Sequence, residues 1–253
     1  MQNRKIAFVS GGSRGLGRDM ALNLAANQQD VIFSYHQNKA AADQVKSEIE
    51  ALGVQAHAIQ LDSRDLSSFD DFIDQLSSIL KNHFDRNQLD AWVNNAGTGI
   101  YKPFAETSEA DFDEMMNIHF KGVYFLTQKA LPIIKDGGSI VNISSGLARF
   151  SFPGSSAYAS MKGAIEVFTR YLAKELGPRG IRANVVAPGA IATDFGGGSN
   201  RDDEQKRQHI ANITALGRVG EAEDIGSVVA FLCSEASHWL TAQRIEASGG
   251  TLI

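Results

Sequence analysis

A chain of 253 residues with a formal net charge of -5 and interspersed signs can bury a sizeable core, and it lacks the basic face of a nucleic-acid binder. Its single cysteine, Cys233, excludes an internal disulfide and suits a reducing compartment, where it reads as a small buried hydrophobe. No apolar leader opens the chain and no run of about 18 apolar residues occurs, so neither a signal peptide nor a membrane partner is expected, and the protein is placed in the cytoplasm.

No linker, low-complexity tract or fixed-period repeat interrupts the chain, which predicts one domain over 1–253. Strands are predicted at 5–10, 31–35, 55–61, 91–94, 139–143, 182–187 and 243–246. Most of these runs are too continuously apolar for half-exposed strands, and helical periodicity fills the intervals, as in 41–52, where Val45, Ile49 and Leu52 share a face and Gly53 stops the helix. The alternation predicts a doubly wound, Rossmann-type α/β fold with a seven-stranded parallel sheet, whose ligands bind beyond the carboxyl ends of the strands.

The first strand runs into Ser10-Gly11-Gly12-Ser13-Arg14-Gly15-Leu16-Gly17 and then a helix-like stretch. Glycines there permit a tight turn and close backbone approach, and a helix amino terminus offers free N–H groups to a pyrophosphate. The second strand ends Tyr35-His36-Gln37-Asn38-Lys39, without the carboxylate that commonly binds an unphosphorylated ribose, while Asp30 precedes the strand at the opposite edge. Arg14, His36 and Lys39 would accept a 2′-phosphate, so NADP(H) is expected over NAD(H).

Further along, Tyr158 and Lys162 stand four residues apart, and Ser145 lies thirteen positions before the tyrosine at the end of an apolar run. On a helix over about 156–177, positions i and i+4 lie about 6 Å apart along the axis, so an ammonium can sit beside the phenol and favour its ionised form. A serine hydroxyl at a strand end could hold a carbonyl oxygen beside it.

These motifs together resemble the short-chain dehydrogenase/reductase family over essentially the whole chain, in particular its 3-oxoacyl-acyl-carrier-protein reductases. The glycine loop is similar to the family's Thr-Gly-x-x-x-Gly-x-Gly with Ser10 for threonine, and Asn94-Asn95-Ala96-Gly97 is similar to its Asn-Asn-Ala-Gly element. The resemblance implies that Asn117, Ser145, Tyr158 and Lys162 form a catalytic tetrad, with Asn117 holding a proton-relaying water. It also implies that Asp62 and Ser63 meet the adenine, that Asn95, Ala96 and Gly97 lie along the cofactor, and that Pro188, Gly189, Ile191 and Thr193 lie at the nicotinamide. No metal ligand is assigned.

The departure at Glu246-Ala247-Ser248-Gly249-Gly250, where the family has Val-Asp-Gly-Gly, falls in a tail expected to pack at subunit contacts. The implied activity is hydride transfer between a nicotinamide and a small-molecule carbonyl or alcohol, with a 3-oxoacyl thioester, a sugar, a polyol or another ketone as substrate. A cofactor-sensing binding protein and a scaffolding subunit are the rival classes, and the full tetrad argues against both. Leu147, Phe150 and Phe152 are expected to line an apolar pocket or pack against the sheet or a neighbouring subunit. The glycine-rich 190–215 segment is expected to form a substrate lid, or else a plain surface loop. Arg149, Arg201, Lys206 and Arg207 could form a basic patch for a carrier protein, although Asp202, Asp203 and Glu204 lie among them. Apolar residues on several faces of 164–172, together with the resemblance, imply a homodimer or tetramer.

Overall fold

The side chains of β1 (Ile6–Val9) are all buried, with Ala7 and Val9 in one apolar layer and Ile6 and Phe8 in another. A strand that feeds two cores must be covered on both faces, as in a parallel sheet between helices. The computed structural model describes residues 4–253, so residues 1–3, part of the segment read for a leader, lie outside the described residues.

From β1 the chain passes through α1 (Gly15–Ala26), β2 (Asp30–Tyr35), α2 (Lys39–Ala51), β3 (Ala56–Gln60), α3 (Phe69–Phe84) and β4 (Leu89–Asn94). It continues through α4 (Glu109–Met116), α5 (Gly122–Ala130), β5 (Ile134–Ile143), α6 (Ser156–Leu176) and β6 (Arg182–Pro188). Last come α7 (Ser199–Asp202), α8 (Glu204–Asn212), α9 (Glu223–Leu232) and β7 (Arg244–Ala247). Among the described residues the strands form one seven-stranded sheet, parallel throughout, in the order β3-β2-β1-β4-β5-β6-β7. This is the doubly wound α/β fold expected. Its winding reverses between β1 and β4, which opens a crevice at their carboxyl ends.

Leu24 of α1, Ile49 of α2 and Val229 of α9 pack on one face, and Leu76 of α3, Leu126 of α5 and Leu172 of α6 on the other. The α1–α9 contact is close: the Gly226 amide donates to Asp19 Oδ2 at 3.0 Å, and a Cβ on Gly226 would lie 2.0 Å from that oxygen. No helix among the described residues is long and apolar enough to cross a membrane.

A buried amide ladder pins the middle of the sheet. Trp92 Nε1 donates to Asn94 Oδ1 at 2.8 Å, and Asn94 Nδ2 donates to Asn142 Oδ1 at 2.7 Å and Thr127 Oγ1 at 2.9 Å. Asn142 Nδ2 in turn reaches Thr169 Oγ1 on α6 at 2.8 Å. Polar groups buried this deeply need complete partners, so the ladder selects one register of β4 against β5 and one seat for α6.

Two elements differ from expectation. β5 begins at Ile134, five residues early, because its first turn of chain runs through exposed Lys135, Asp136 and Gly137 and shifts register against β4, leaving no apolar pattern to read. Leu52 lies beyond the end of α2 and is exposed, since the chain leaves the helix toward Gly53 at φ +83°.

Candidate active site

Gly11 leaves β1 at φ +67°, and a Cβ on Gly17 would come 2.1 Å from the Gly11 carbonyl oxygen. Ser10 Oγ accepts from the amides of Asn95 and Ala96 at 2.9 and 3.0 Å, and Asn95 Nδ2 returns hydrogen bonds to the carbonyls of Ser10 and Gly11. The glycine turn is therefore clamped to the end of β4. Arg14 stands at the amino-terminal cap of α1 with no side-chain cap, so the first N–H groups of the helix remain available. Gly11, Ser13, Arg14, Gly15, Leu16 and Gly17 all line one cavity of about 690 Å³, with Asn95, Ala96 and Gly97 opposite. A tight glycine turn, in which a Cβ on Gly11 or Gly17 would clash with backbone, at an uncapped helix start, fits a dinucleotide pyrophosphate.

At one end of this cavity lie Tyr35, His36, Asp62 and Ser63, as expected. Arg64, which sequence reasoning passed over, joins them. Its guanidinium lies 2.8 Å from Asp62 and 3.4 Å from His36 Nε2, and it holds the Asp62 carboxyl at about 2. Its signal was its place two residues after Asp62 in a turn. Lys39 does not join them: its ammonium pairs with Asp43, one helical turn on, and is 70% exposed. Asp30 opens β2 at the far edge of the sheet, where it accepts from the Gln55 amide.

At the other end, α6 places Tyr158 and Lys162 on its buried face. Lys162 Nζ lies 5.5 Å from the centre of the Tyr158 ring and donates to the Ile143 carbonyl at 2.7 Å. Ser145 lies two residues beyond β5, its hydroxyl accepting from the Leu147 amide at 3.2 Å, and it lines the cavity with Tyr158. Burial pushes the phenol above its usual pKa, helped by Tyr101 and opposed by the Ser145 hydrogen bond, while burial brings Lys162 down to about 7. Loss of solvent is thus the leading influence on the phenol. Pro188, Gly189, Ile191 and Thr193 complete this end of the cavity.

Asn117 stands behind the cavity wall, next to Ile118 and His119, which line it. Asn117 begins a single π-helical turn, Asn117–Lys121, and its carbonyl accepts from the Gly122 amide. The extra residue in that turn carries His119 into the wall, where it is 1% exposed and stands perpendicular to Tyr158 at 4.9 Å between ring centres. His119 Nε2 lies 2.6 Å from the Thr98 carbonyl, which can only accept, so Nε2 carries the proton. Burial and the Lys162 charge drive its pKa well below the usual value, leaving a neutral ring. Gly97 makes room for it, since a Cβ there would lie 2.7 Å from the imidazole. A π turn has no sequence signature, so nothing before the structure singled out His119.

Leu147, Phe150 and Phe152 face the cavity, joined by Tyr101 and Phe195, whose rings lie 6.1 and 5.8 Å from that of Tyr158. Gly196, Gly197 and Gly198 each adopt positive φ and turn the chain into α7 and α8, which bring Ile210 and Lys206 to the cavity. The proposed basic patch is largely neutralised: Arg149 pairs with Glu246 at 3.3 Å, Arg201 with Asp194 and Asp202, and Arg207 with Glu204. The carboxyl-terminal departure reaches the chemistry, because Arg244, bound to Glu246, also donates to the Ser145 carbonyl at 3.4 Å.

Residues 11–251 match the family model described as Enoyl-(Acyl carrier protein) reductase. The chain is 34% identical to a hydroxynaphthalene reductase-like protein Arp2 of Metarhizium brunneum, over 98% of this chain and 95% of that protein. It superposes with a TM-score of 0.93 and 37% identity on the promiscuous reductase LugOII, which catalyses keto-reduction at C1 during lugdunomycin biosynthesis, covering 98% of both chains. With the landomycin C-6 ketoreductase LanV, solved with NADP and rabelomycin, the TM-score is 0.89 and the identity 35%, over 98% of this chain and 96% of the other. A glycine cradle, a serine–tyrosine–lysine cluster and these matches along almost the whole length agree: the chain belongs to the short-chain dehydrogenase/reductase family of oxidoreductases.

Proposed function

We propose that this protein is an NADPH-dependent carbonyl reductase of bulky, largely apolar ketones, polycyclic aromatic ketones foremost. The observation that carries the reading is that Ser145, Tyr158 and Lys162 line the same cavity as the glycine cradle, with the Lys162 ammonium 5.5 Å from the centre of the phenol ring. A carbonyl oxygen between the two hydroxyls receives a hydrogen bond from each, which stabilises the charge that develops there. The nicotinamide cofactor, when bound, supplies the hydride. Tyr158 gives its proton to the developing alkoxide, Lys162 stabilises the phenolate left behind, and an amine with a pKa of about 7 can itself pass on a proton near neutrality.

The preference for NADP(H) is supported by the missing carboxylate at the end of β2, by Arg14, His36 and Arg64 at that end of the cavity, and by NADP in the LanV structure. The substrate class is supported by the apolar and aromatic wall of Tyr101, Leu147, Phe150, Phe152 and Phe195, and by relatives named for hydroxynaphthalene and for angucycline ketones. A 3-oxoacyl thioester is the second reading, favoured by the carrier-protein description of the family model and by Lys206 at the cavity, and weakened by the pairing of the neighbouring arginines.

NADPH oxidation followed with polycyclic ketones, 3-oxoacyl thioesters and sugars, and repeated with NADH, tests the reading. Turnover of the aromatic ketones with NADPH is expected. No turnover of any carbonyl would leave the cofactor-sensing role in its place.

The same proposal includes a homo-oligomer in the cytoplasm. Tyr124 and Phe125 on α5 and Val167 and Tyr171 on α6 are exposed together, with Tyr171 64% accessible, and the free Cys233 is buried. Light scattering on the purified protein is expected to give two or four copies.

A further inference from the structure

Behind Ser145 lies a half-buried charge cluster that the proposed reaction does not use. Arg244, the first residue of β7, donates from Nε to Glu166 Oε1 at 2.7 Å, from one terminal nitrogen to Glu246 Oε2 at 2.8 Å, and from the other to the Ser145 carbonyl at 3.4 Å. Glu166 sits one turn beyond Lys162 on α6, and its Oε1 also accepts from the Ser144 hydroxyl at 2.8 Å, which lies 3.2 Å from the Lys162 carbonyl. Glu246 accepts from Arg149, in the loop after Ser145, at 3.3 Å and from Ser248 at 2.9 Å. The side chains of Glu166 and Glu246 are each 15% exposed and that of Arg244 24%.

One planar fork thus joins the end of β5, the stretch of α6 that carries Lys162, and β7, and the carboxylate on the fork also holds the loop whose Leu147, Phe150 and Phe152 face the cavity. Glu246 opens the stretch in which the chain departs from the family's Val-Asp-Gly-Gly, and Ser248 stands at the aspartate's place. The Glu246 side chain spans two arginines, Arg244 on its own strand and Arg149 in the loop after Ser145. Only a guanidinium supplies three directed donors in such a plane.

We propose that Arg244 and Glu246 are positioning residues for the reaction: Arg244 fixes the backbone at Ser145 and the seat of Lys162, and Glu246 latches the 146–153 loop over the substrate through Arg149. This rests on the carbonyl-reductase reading. Displacing reacting groups by about 1 Å can cost about 100-fold in rate even when the altered residue is remote from the chemistry.

R244M, R244K, E246Q and E246D test it through kcat, the KM of ketone and of NADPH, thermal midpoint, and hydrogen exchange at 144–153. R244M is expected to lower kcat about 10–100-fold while the NADPH KM stays within about threefold, because the glycine cradle is untouched. R244K is expected to restore only part of the loss. E246Q is expected to raise the ketone KM and speed exchange at 146–153, and E246D, which keeps the charge but shortens the reach, to fall between E246Q and the parent.

A lowered thermal midpoint with unchanged kcat and unchanged exchange in folded R244M and E246Q would overturn the proposal, since a purely structural cluster gives that result. If R244M does not fold, the E246Q and E246D comparison decides by the same criteria. Hydrogen exchange needs no turnover. Faster exchange in E246Q beside a parent that reduces no carbonyl would sink the carbonyl-reductase reading and keep the latch, whereas unchanged exchange beside an active parent would sink the latch alone.

Discussion

The ammonium of Lys162 lies 5.5 Å from the centre of the Tyr158 ring and is anchored by the Ile143 carbonyl at 2.7 Å, so the helix and the neighbouring strand end together set where the charge stands against the phenol. Tyr158→Phe keeps the ring and its packing against His119 and removes only the hydroxyl. Turnover is expected to fall by about 10²–10⁴-fold with NADPH affinity nearly unchanged, measured by steady-state kinetics and by fluorescence titration of the cofactor. Near-normal kcat in this variant would falsify the assignment of Tyr158 as proton donor.

Arg64 faces the cavity beside His36, with Asp62 as its present partner. Arg64→Ala is expected to weaken NADPH about 10-fold while NADH changes little, because a charged hydrogen bond to a 2′-phosphate is worth about 1.5–3 kcal/mol and NADH has no such group. Equal losses for both cofactors would place Arg64 on the adenine instead. The ratio of the two KM values reads the difference.

His119 holds its proton on Nε2 toward Thr98 and stays neutral, so it contributes no titration to the pH profile of kcat between about pH 6 and 8. Nitrogen-15 spectra of the histidines are expected to show a ring protonated at Nε2 alone at pH 7. A ring protonated at Nδ1 alone would contradict the hydrogen bond to Thr98, and a cationic ring would contradict the neutrality that burial imposes.

The carboxyl of Asp19 is pushed up to about 6, first by burial under α9 and then by Glu223, against the hydrogen bond from Gly226. The folded state binds this proton more tightly than the unfolded chain, so the associated stability is full below about pH 4 and is lost as the pH rises through about 6. Asp19→Asn is expected to raise the thermal midpoint at pH 8 by about 2–4 °C, the shift that about 1 kcal/mol gives in a chain of this size, and to leave it unchanged at pH 4. Calorimetry at the two pH values checks the sign.

Three left-handed glycines at 196–198 join the sheet side of the cavity to α7 and α8. We expect this segment to close on the ligands, and NADPH with ketone to slow tryptic cleavage at Arg201, Lys206 and Arg207. Identical cutting with and without ligands would make it an ordinary surface connection.

What the sequence disclosed is what repeats locally. Continuous apolar strands and a glycine turn placed the sheet and the cradle, and the spacing from Ser145 through Tyr158 to Lys162 survived because it lies on one strand end and one helix. His119 was not legible because a π-helical turn, Asn117–Lys121, leaves no periodic mark in the sequence. Lys39 takes the solvated helix-start place open to it, because an aspartate one turn away, Asp43, offered a nearer charge than the cavity. Arg244 was invisible because Glu166 and the Ser145 carbonyl come from a helix and a strand end far away in the chain, and Arg64 because it meets His36 only across the sheet.

The amide ladder from Trp92 through Asn94 and Asn142 to Thr169 carries a further consequence for redesign. It locks the reacting frame from inside the sheet without touching the 146–153 loop or the glycine-hinged cap. Those outer segments could therefore be exchanged to retarget the enzyme while the interior stays as it is.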